Sequence, residues 1–336
     1  MAIRAGLRPT ELHLAEKLQA LHWPFIAVTV LIGMIGYFVL YSAGGGHHEP
    51  WAWRHALRLA MGLGAMLIVA MIDLRLVFRF AYLFFGVALV LLIAVEIIGE
   101  INKGAQRWID IGVLQLQPSE LMKLGLVLAL ARYFHTAFLE EVKRPLFLVA
   151  PILMILVPVA LVLKQPDLGT AVMLLAAGGA MLFLAGVRIW KFLLVGGLAG
   201  AALPVIWSKL HDYQKQRVFT FLDPEQDPLG TGYHIIQSKI ALGSGGLWGK
   251  GFLMGSQAQL NYLPEKQTDF AFSMLAEELG FIGSVGVLAL YLALLFLALT
   301  IALRSLNHFG RLVAMGVSCN FALYVCFRTS ATGTRI

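Results

Sequence analysis

Charge is scarce in this chain. Asp, Glu, Lys and Arg make up 13% of its 336 residues, about half of what a soluble globular protein carries. Apolar residues fill the deficit at 59%, with a mean hydropathy of +0.78. That make-up excludes a soluble enzyme and implies a membrane-embedded protein. Cysteine is nearly absent too. Cys319 and Cys326 form neither a CxxC nor a metal pattern, and their i, i+7 spacing on the last apolar segment reads as packing thiols. The polar, amphipathic segment 1–22 has no cleavable signal pattern, so the first span is expected to act as the uncleaved insertion signal. The net charge of +7 does not point to nucleic acid, because the basic residues sit in short connections between apolar runs. A nucleotide loop is missing as well. The segment Gly243-Ser-Gly-Gly-Leu-Trp-Gly-Lys-Gly251 fails the GxxxxGK[ST] template, and its glycines instead suit a tight backbone turn or a close approach to a ligand.

What is present is a series of long apolar runs. A membrane span needs about 20 apolar residues, and backbone groups in hydrocarbon must pair internally, so such runs imply helices. Clear candidates are Trp23–Tyr41, Phe80–Ile98, Leu146–Leu163, Leu168–Val187 and Phe281–Leu303; weaker ones are Ala56–Ile72, Leu121–Phe134, Phe192–Trp207 and Leu312–Phe327. The expected fold is an all-α polytopic membrane protein of about nine transmembrane helices. Seven occupy residues 23–207 and two occupy 271–327. Between these groups lies a long polar loop, 208–270, and an atypical tail, 328–336, follows.

Lys and Arg set the orientation. The connections holding Arg4, Arg8 and Lys17, then Arg75 and Arg79, then Arg132, Lys143 and Arg144, then Arg188 and Lys191, then Arg304 and Arg311 are the basic ones. The short alternate connections hold only Arg54, Lys103, Arg107 and Lys164. The N-terminus is therefore expected in the cytoplasm and the 208–270 loop on the far side of a bacterial inner membrane.

That loop ends in a lone acid, Asp269, before Phe270-Ala-Phe272. Asp is a favoured N-cap, so Asp269 either caps the following helix or serves as a base; spacing alone leaves both open. Glu120 and Lys123 lie i, i+3 at a span boundary, where an ion pair locks a helix or lines a polar cavity. Asp167 stands where a helix-capping acid is expected. His47-His48-Glu49 lacks a third ligand for a metal site. Glu277, Glu278 and Glu96 receive no role.

Three segments, Gln117-Pro-Ser-Glu-Leu-Met-Lys123, Gln165-Pro-Asp-Leu-Gly-Thr170 and Asn261-Tyr-Leu-Pro-Glu-Lys-Gln-Thr-Asp-Phe-Ala-Phe-Ser-Met-Leu-Ala-Glu-Glu-Leu-Gly280, closely resemble, in order, signature segments of the SEDS family (shape, elongation, division and sporulation), specifically its RodA branch. The resemblance implies a glycosyltransferase that polymerises the peptidoglycan precursor lipid II during cell elongation and shape maintenance. The leaving group is undecaprenyl pyrophosphate, so the protein need supply only a base for the attacking hydroxyl and cations for the phosphates. The resemblance gives Asp269 the role of catalytic base, and a carboxylate partly withdrawn from water is the stronger base. It also implies substrate contacts by Glu120, Lys123, Arg217, Lys239, Lys250, Glu265 and Thr268. A divalent cation, Mg or Mn, is the one cofactor this chemistry leaves room for, at the pyrophosphate, and no ligand set for it is visible. The implied partners are lipid II, a class B penicillin-binding protein transpeptidase and membrane lipids, with no nucleic acid. The family has ten helices. After Val325 this chain reads Cys-Phe-Arg-Thr-Ser-Ala-Thr-Gly-Thr-Arg-Ile, which matches no tenth helix and reads as a truncated end. Two alternatives therefore accompany the polymerase: a lipid II flippase, and a non-catalytic scaffold for the transpeptidase.

Overall fold

The computed structural model describes residues 14–98, 100–102, 105–110, 115–165, 167–209, 215, 231–260, 262, 267–268 and 270–330. Arg217, Glu265 and Asp269 lie outside the described residues. The helices are α1 Leu14–Gln19, α2 Trp23–Ala43, α3 Ala52–Met71, α4 Leu74–Ile98, α5 Pro118–His135, α6 Leu139–Lys143, α7 Pro145–Lys164, α8 Leu168–Leu184, α9 Ile189–Lys209, α10 Thr231–Ser244, α11 Ser256–Gln259, α12 Ala271–Arg304 and α13 His308–Ser330. Each of the nine apolar runs falls on one of them. Six (α2, α3, α4, α7, α12 and α13) are long and apolar enough to cross a membrane, while α8 and the start of α9 are shorter apolar helices. The protein is a polytopic, helical membrane protein.

Two features depart from the expectation. The α4–α5 connection is a small antiparallel sheet of β1 Glu100–Asn102, β2 Ala105–Asp110 and β3 Gln115–Leu116, in the order β1-β2-β3. The Gln106-Arg-Trp-Ile-Asp110 run of β2 shows no apolar–polar alternation, so the period-two signal of a strand is absent there. The stretch 208–270, expected as loop, contains α10 and α11.

The chain forms two compact units. The first, which includes Ile72–Leu198 and Ala298–Tyr324, is built around α5. Met122, Leu126, Val127, Leu130, Ala131 and Phe134 have essentially no exposed surface, so α5 is covered over most of its circumference. Small residues permit the close approaches. A Cβ on Gly125 would stand 3.3 Å from the Cα of Phe85 on α4, and one on Gly178 of α8 would stand 2.6 Å from Ile155 Cγ1 on α7. Asp167 caps α8 as its position implied: its carboxylate accepts from the Thr170 amide at 3.1 Å and the Thr170 hydroxyl at 3.0 Å.

The second unit includes Leu14–Met71 and Ala199–Leu297. Here α2 and α3 pair closely at Gly33, where a Cβ would lie 2.6 Å from Leu59 Cδ1, and His55 Nε2 bonds the Gly33 carbonyl at 3.0 Å. The end of α2 packs through Ala43 on Met274 of α12, with Trp51 alongside.

Candidate active site

The second unit holds one arrangement that apolar packing does not explain. Helix α12 is broken at Gly280, whose φ of 69° and ψ of −166° lie in a region open essentially to glycine alone. A break in a helix strands carbonyls before it and amides after it, and buried backbone groups must find partners. The 243–251 segment pairs two of each. The amides of Lys250 and Gly251 donate to the carbonyls of Glu277 and Glu278, both at 3.0 Å. The amides of Phe281 and Ile282 donate to the carbonyls of Gly246 and Leu247, at 2.9 and 3.2 Å. The glycines serve this contact. Gly246, Gly249 and Gly251 have positive φ, and a Cβ on Gly249 would collide with the Glu278 carbonyl and lie 2.7 Å from the Gly280 amide. The close approach foreseen for this segment is to the chain's own backbone. After the break, the 24 residues of 281–304 reach roughly 36 Å, enough for a hydrocarbon core of about 30 Å. The turns before it, 271–279, are free to carry polar groups.

They carry two buried acids. Glu277 has 0% of its surface exposed and Glu278 has 3%. The Glu277 carboxylate accepts from Lys250 Nζ at 2.7 Å, from Ser256 Oγ at 3.1 Å and from the Gln257 amide at 3.1 Å. Lys250 Nζ also donates to Ser256 Oγ at 2.8 Å. Glu278 accepts from the hydroxyl of Ser42, at the buried end of α2.

The start of α12, just beyond Asp269, is held by α10. Phe270 packs on Ala241, both buried, and Ser238 and Ser273 share a hydrogen bond at 2.6 Å. Lys239 lies on α10 between those two contact residues and is exposed. Thr268 is exposed in a turn with Gln267. Lys250, expected at the pyrophosphate, has its ammonium engaged with Glu277 and Ser256. In the first unit, Glu120 and Lys123 form the expected ion pair at 2.8 Å, Glu120 half exposed and Lys123 buried, and Lys123 Nζ also stands 5.4 Å from the centre of the Tyr324 ring. His48 Nδ1 bonds the Tyr37 hydroxyl at 2.7 Å. Among the described residues no three His, Cys, Asp or Glu side chains gather to hold a metal ion.

Residues 21–334 match the model of the FtsW, RodA and SpoVE cell cycle protein family. The chain belongs to this family. Among its relatives is the peptidoglycan glycosyltransferase MrdB of Escherichia coli K12, 44% identical over 88% of this chain and 80% of that protein. The probable peptidoglycan glycosyltransferase FtsW of Aliivibrio salmonicida is 38% identical over 83% of this chain and 70% of its own length. Of the solved structures, one from work on the structural coordination of polymerization and crosslinking by a peptidoglycan synthase complex aligns with a TM-score of 0.79 and 32% identity. It covers 93% of this chain and 87% of that one. The crystal structure of rod shape determining protein RodA from Thermus thermophilus aligns with a TM-score of 0.69 and 29% identity, over 94% and 87% of the two chains.

For this SEDS protein, reasoning from sequence missed Glu277, Glu278, Ser42 and Ser256. A signal existed. Two adjacent acids preceding an apolar run and a glycine need partners if buried, and Lys250, in a glycine-rich segment, was an available cation.

Proposed function

We propose that this chain is a peptidoglycan glycosyltransferase that polymerises lipid II into glycan strands, with Asp269 as general base. The observation that carries the reading is the 44% identity with MrdB over most of both chains. The Asp269 carboxylate takes the proton of the acceptor sugar hydroxyl. The hydroxyl oxygen then forms a bond to the anomeric carbon of the second sugar as that carbon's bond to the lipid pyrophosphate breaks, with inversion. One carboxylate suffices, since pyrophosphate leaves without protonation, unlike the alkoxide that hydrolytic carboxylate pairs must protonate.

Arg217 and Lys239 are assigned to the departing phosphates, Glu265 and Thr268 to the sugars, and Glu120 with Lys123 to the polar wall of the substrate cavity. Lys250 is assigned to the framework, because its charge is balanced by Glu277. A divalent cation, Mg or Mn, would enter only as a counter-ion travelling with the pyrophosphate. The protein sits in the bacterial inner membrane with its N-terminus in the cytoplasm and residue 269 on the periplasmic side, as the Lys and Arg distribution supports. A class B penicillin-binding protein transpeptidase is its partner, a reading supported by the resemblance to a chain from a peptidoglycan synthase complex.

The test is polymerisation of lipid II by the purified protein with its partner, followed on gels. Asp269→Asn keeps the size and capping ability but not the basicity, so the rate should fall by about 10²–10⁴ with thermal stability nearly unchanged. Near wild-type polymerisation by that variant would leave Asp269 as a helix cap and move the base elsewhere. Location is checked with Cys319 and Cys326 replaced and Met254, which is exposed, changed to Cys. Labelling of intact cells by an impermeant maleimide is expected, and labelling only after lysis overturns the orientation.

A further inference from the structure

An arginine at the edge of a membrane span is costly unless an acid, a carbonyl or a lipid headgroup meets its charge. Two such arginines stand together at one end of the α4–α5 pair in the first unit. Arg132, in the last turn of α5, donates through Nη1 to the backbone carbonyl of Arg79 on α4 at 2.7 Å. Its guanidinium also lies 4.4 Å from the centre of the Tyr82 ring and 5.0 Å from that of Phe78. Phe78 is set edge-on against the buried Phe309, with ring centres 5.1 Å apart, so the guanidinium is fixed in place. Among the described residues no carboxylate pairs with Arg132 or Arg79. Of the flanking acids, Asp73 and Glu141 accept from the amides of Arg75 and Phe138, at 2.9 and 3.0 Å, and Glu140 is exposed.

The location narrows what can meet that charge. Arg79 immediately precedes the apolar run 80–98, about 28 Å of helix against a hydrocarbon core of about 30 Å. The pair therefore stands where hydrocarbon gives way to phospholipid phosphates. Arg79 is exposed, and so are Leu83, Val87 and Val90 on the same face of α4, at 60%, 50% and 63%. An exposed apolar stripe that ends in two guanidiniums matches a phospholipid, with acyl chains along the stripe and a phosphate at the arginines. The guanidinium fork suits phosphate oxygens. A zwitterionic headgroup carries its own cation and gains little from two more, whereas an anionic headgroup gains from both.

We propose that Arg79 and Arg132 bind the phosphodiester of an anionic phospholipid whose chains lie along Leu83, Val87 and Val90 of α4. The site stands on contacts within the first unit and does not depend on the polymerase reading. It faces the cytoplasmic leaflet in the orientation given above. Diffuse attraction to a negative membrane surface is worth about fivefold per cation and is indifferent to which cation is removed. A built site is not indifferent.

The test uses the full chain in neutral detergent, titrated with phosphatidylglycerol and read by native mass spectrometry. The first phosphatidylglycerol should bind about tenfold or more tightly than phosphatidylcholine of the same chains. Arg79→Gln, whose exposed side chain has no partner among the described residues, should weaken that first binding by about fivefold or more. Arg132→Gln should weaken it at least as much, and Arg132→Lys, which keeps the charge but not the fork, by about threefold. Arg188→Gln, at an exposed arginine between α8 and α9, should leave it unchanged. Thermal unfolding checks that each variant is folded, and Arg79→Gln carries the test if Arg132→Gln is not. Glycerophosphoglycerol (the headgroup without chains) and inorganic phosphate should each fail to displace the lipid even in large excess. Equal binding of the two lipids overturns the proposal, as does wild-type affinity in Arg79→Gln or an equal loss in Arg188→Gln. Displacement by the free headgroup or by phosphate overturns it too, leaving an anion site without a lipid.

Discussion

The apolar core around α5 and the broken stretch of α12 solve the same problem by opposite means. Around α5, Met122, Leu126, Leu130, Phe134, Leu174 and Met181 fill space, and among the described residues no backbone amide pairs with a carbonyl of another helix there. At the α12 break the backbone bonds pass between elements, from 246–251 to 277–282, and the buried side chains are charged or hydroxylic. Shape decides the first region, while direction and backbone conformation decide the second. A core of shapes tolerates a neighbour of equal volume. A site built on positive-φ glycines and a buried carboxylate tolerates neither an added methyl group nor a lost charge.

That contrast is easiest to break at Gly280. Gly280→Val adds atoms against the Gly249 amide and the Leu247 carbonyl and demands a backbone conformation costing about 1–3 kcal/mol by strain alone. The combined loss should exceed about 4 kcal/mol, seen as failure to recover a monodisperse protein in detergent. Leu126→Ala removes far more atoms from the α5 core yet should cost less, about 2–4 kcal/mol. Leu126→Met should cost under about 1.5 kcal/mol, with polymerisation per folded molecule retained in both. Thermal unfolding in detergent measures each. If Gly280→Val proves milder than Leu126→Ala, the distinction between the two regions collapses.

The ion pair of α5 sharpens the comparison, because it is a directional contact inside the shape-determined region. Lys123 is 3% exposed and Glu120 is 51% exposed, so the two partners are not equivalent. Glu120→Gln leaves a buried ammonium without its counter-charge and should cost about 1–3 kcal/mol. Lys123→Met leaves only a solvated carboxylate and should cost under about 1 kcal/mol. Equal losses would show that the pair behaves as a surface contact. The smallest effect is expected at the α8 cap, where Asp167→Ala should cost about 1 kcal/mol and leave polymerisation unchanged.

How much of this was legible beforehand varies with the range of the interaction. The nine apolar runs fell on nine helices because hydrophobicity over about 20 residues is a local property. The Phe281–Leu303 run begins one residue after the Gly280 break and ends one before Arg304, since glycine and arginine punctuate the sequence as they do the helix. The Asp167 cap and the Glu120–Lys123 pair were legible because their partners lie three residues away. By contrast, the β1–β3 sheet and α10 were missed, their signals being short and weakly apolar. The Lys250–Glu277 pair was not legible for a different reason: the two lie 27 positions apart, and no periodicity links them.

By itself, then, the sequence determined the membrane class, the apolar helices, the local caps and the family, because each of these is written in composition, in period or in a contiguous motif. Only the tertiary structure decided what the glycine-rich segment and the adjacent acids do. Glycines at 246, 249 and 251 are compatible with a ligand loop or with a backbone contact, and Glu277 and Glu278 with solvated charge or with buried anchors. The choice rests on which distant groups arrive beside them. The stranded carbonyls and amides at Gly280 must be paired, and the chain that returns to pair them brings Lys250, Ser256 and Gln257 to Glu277.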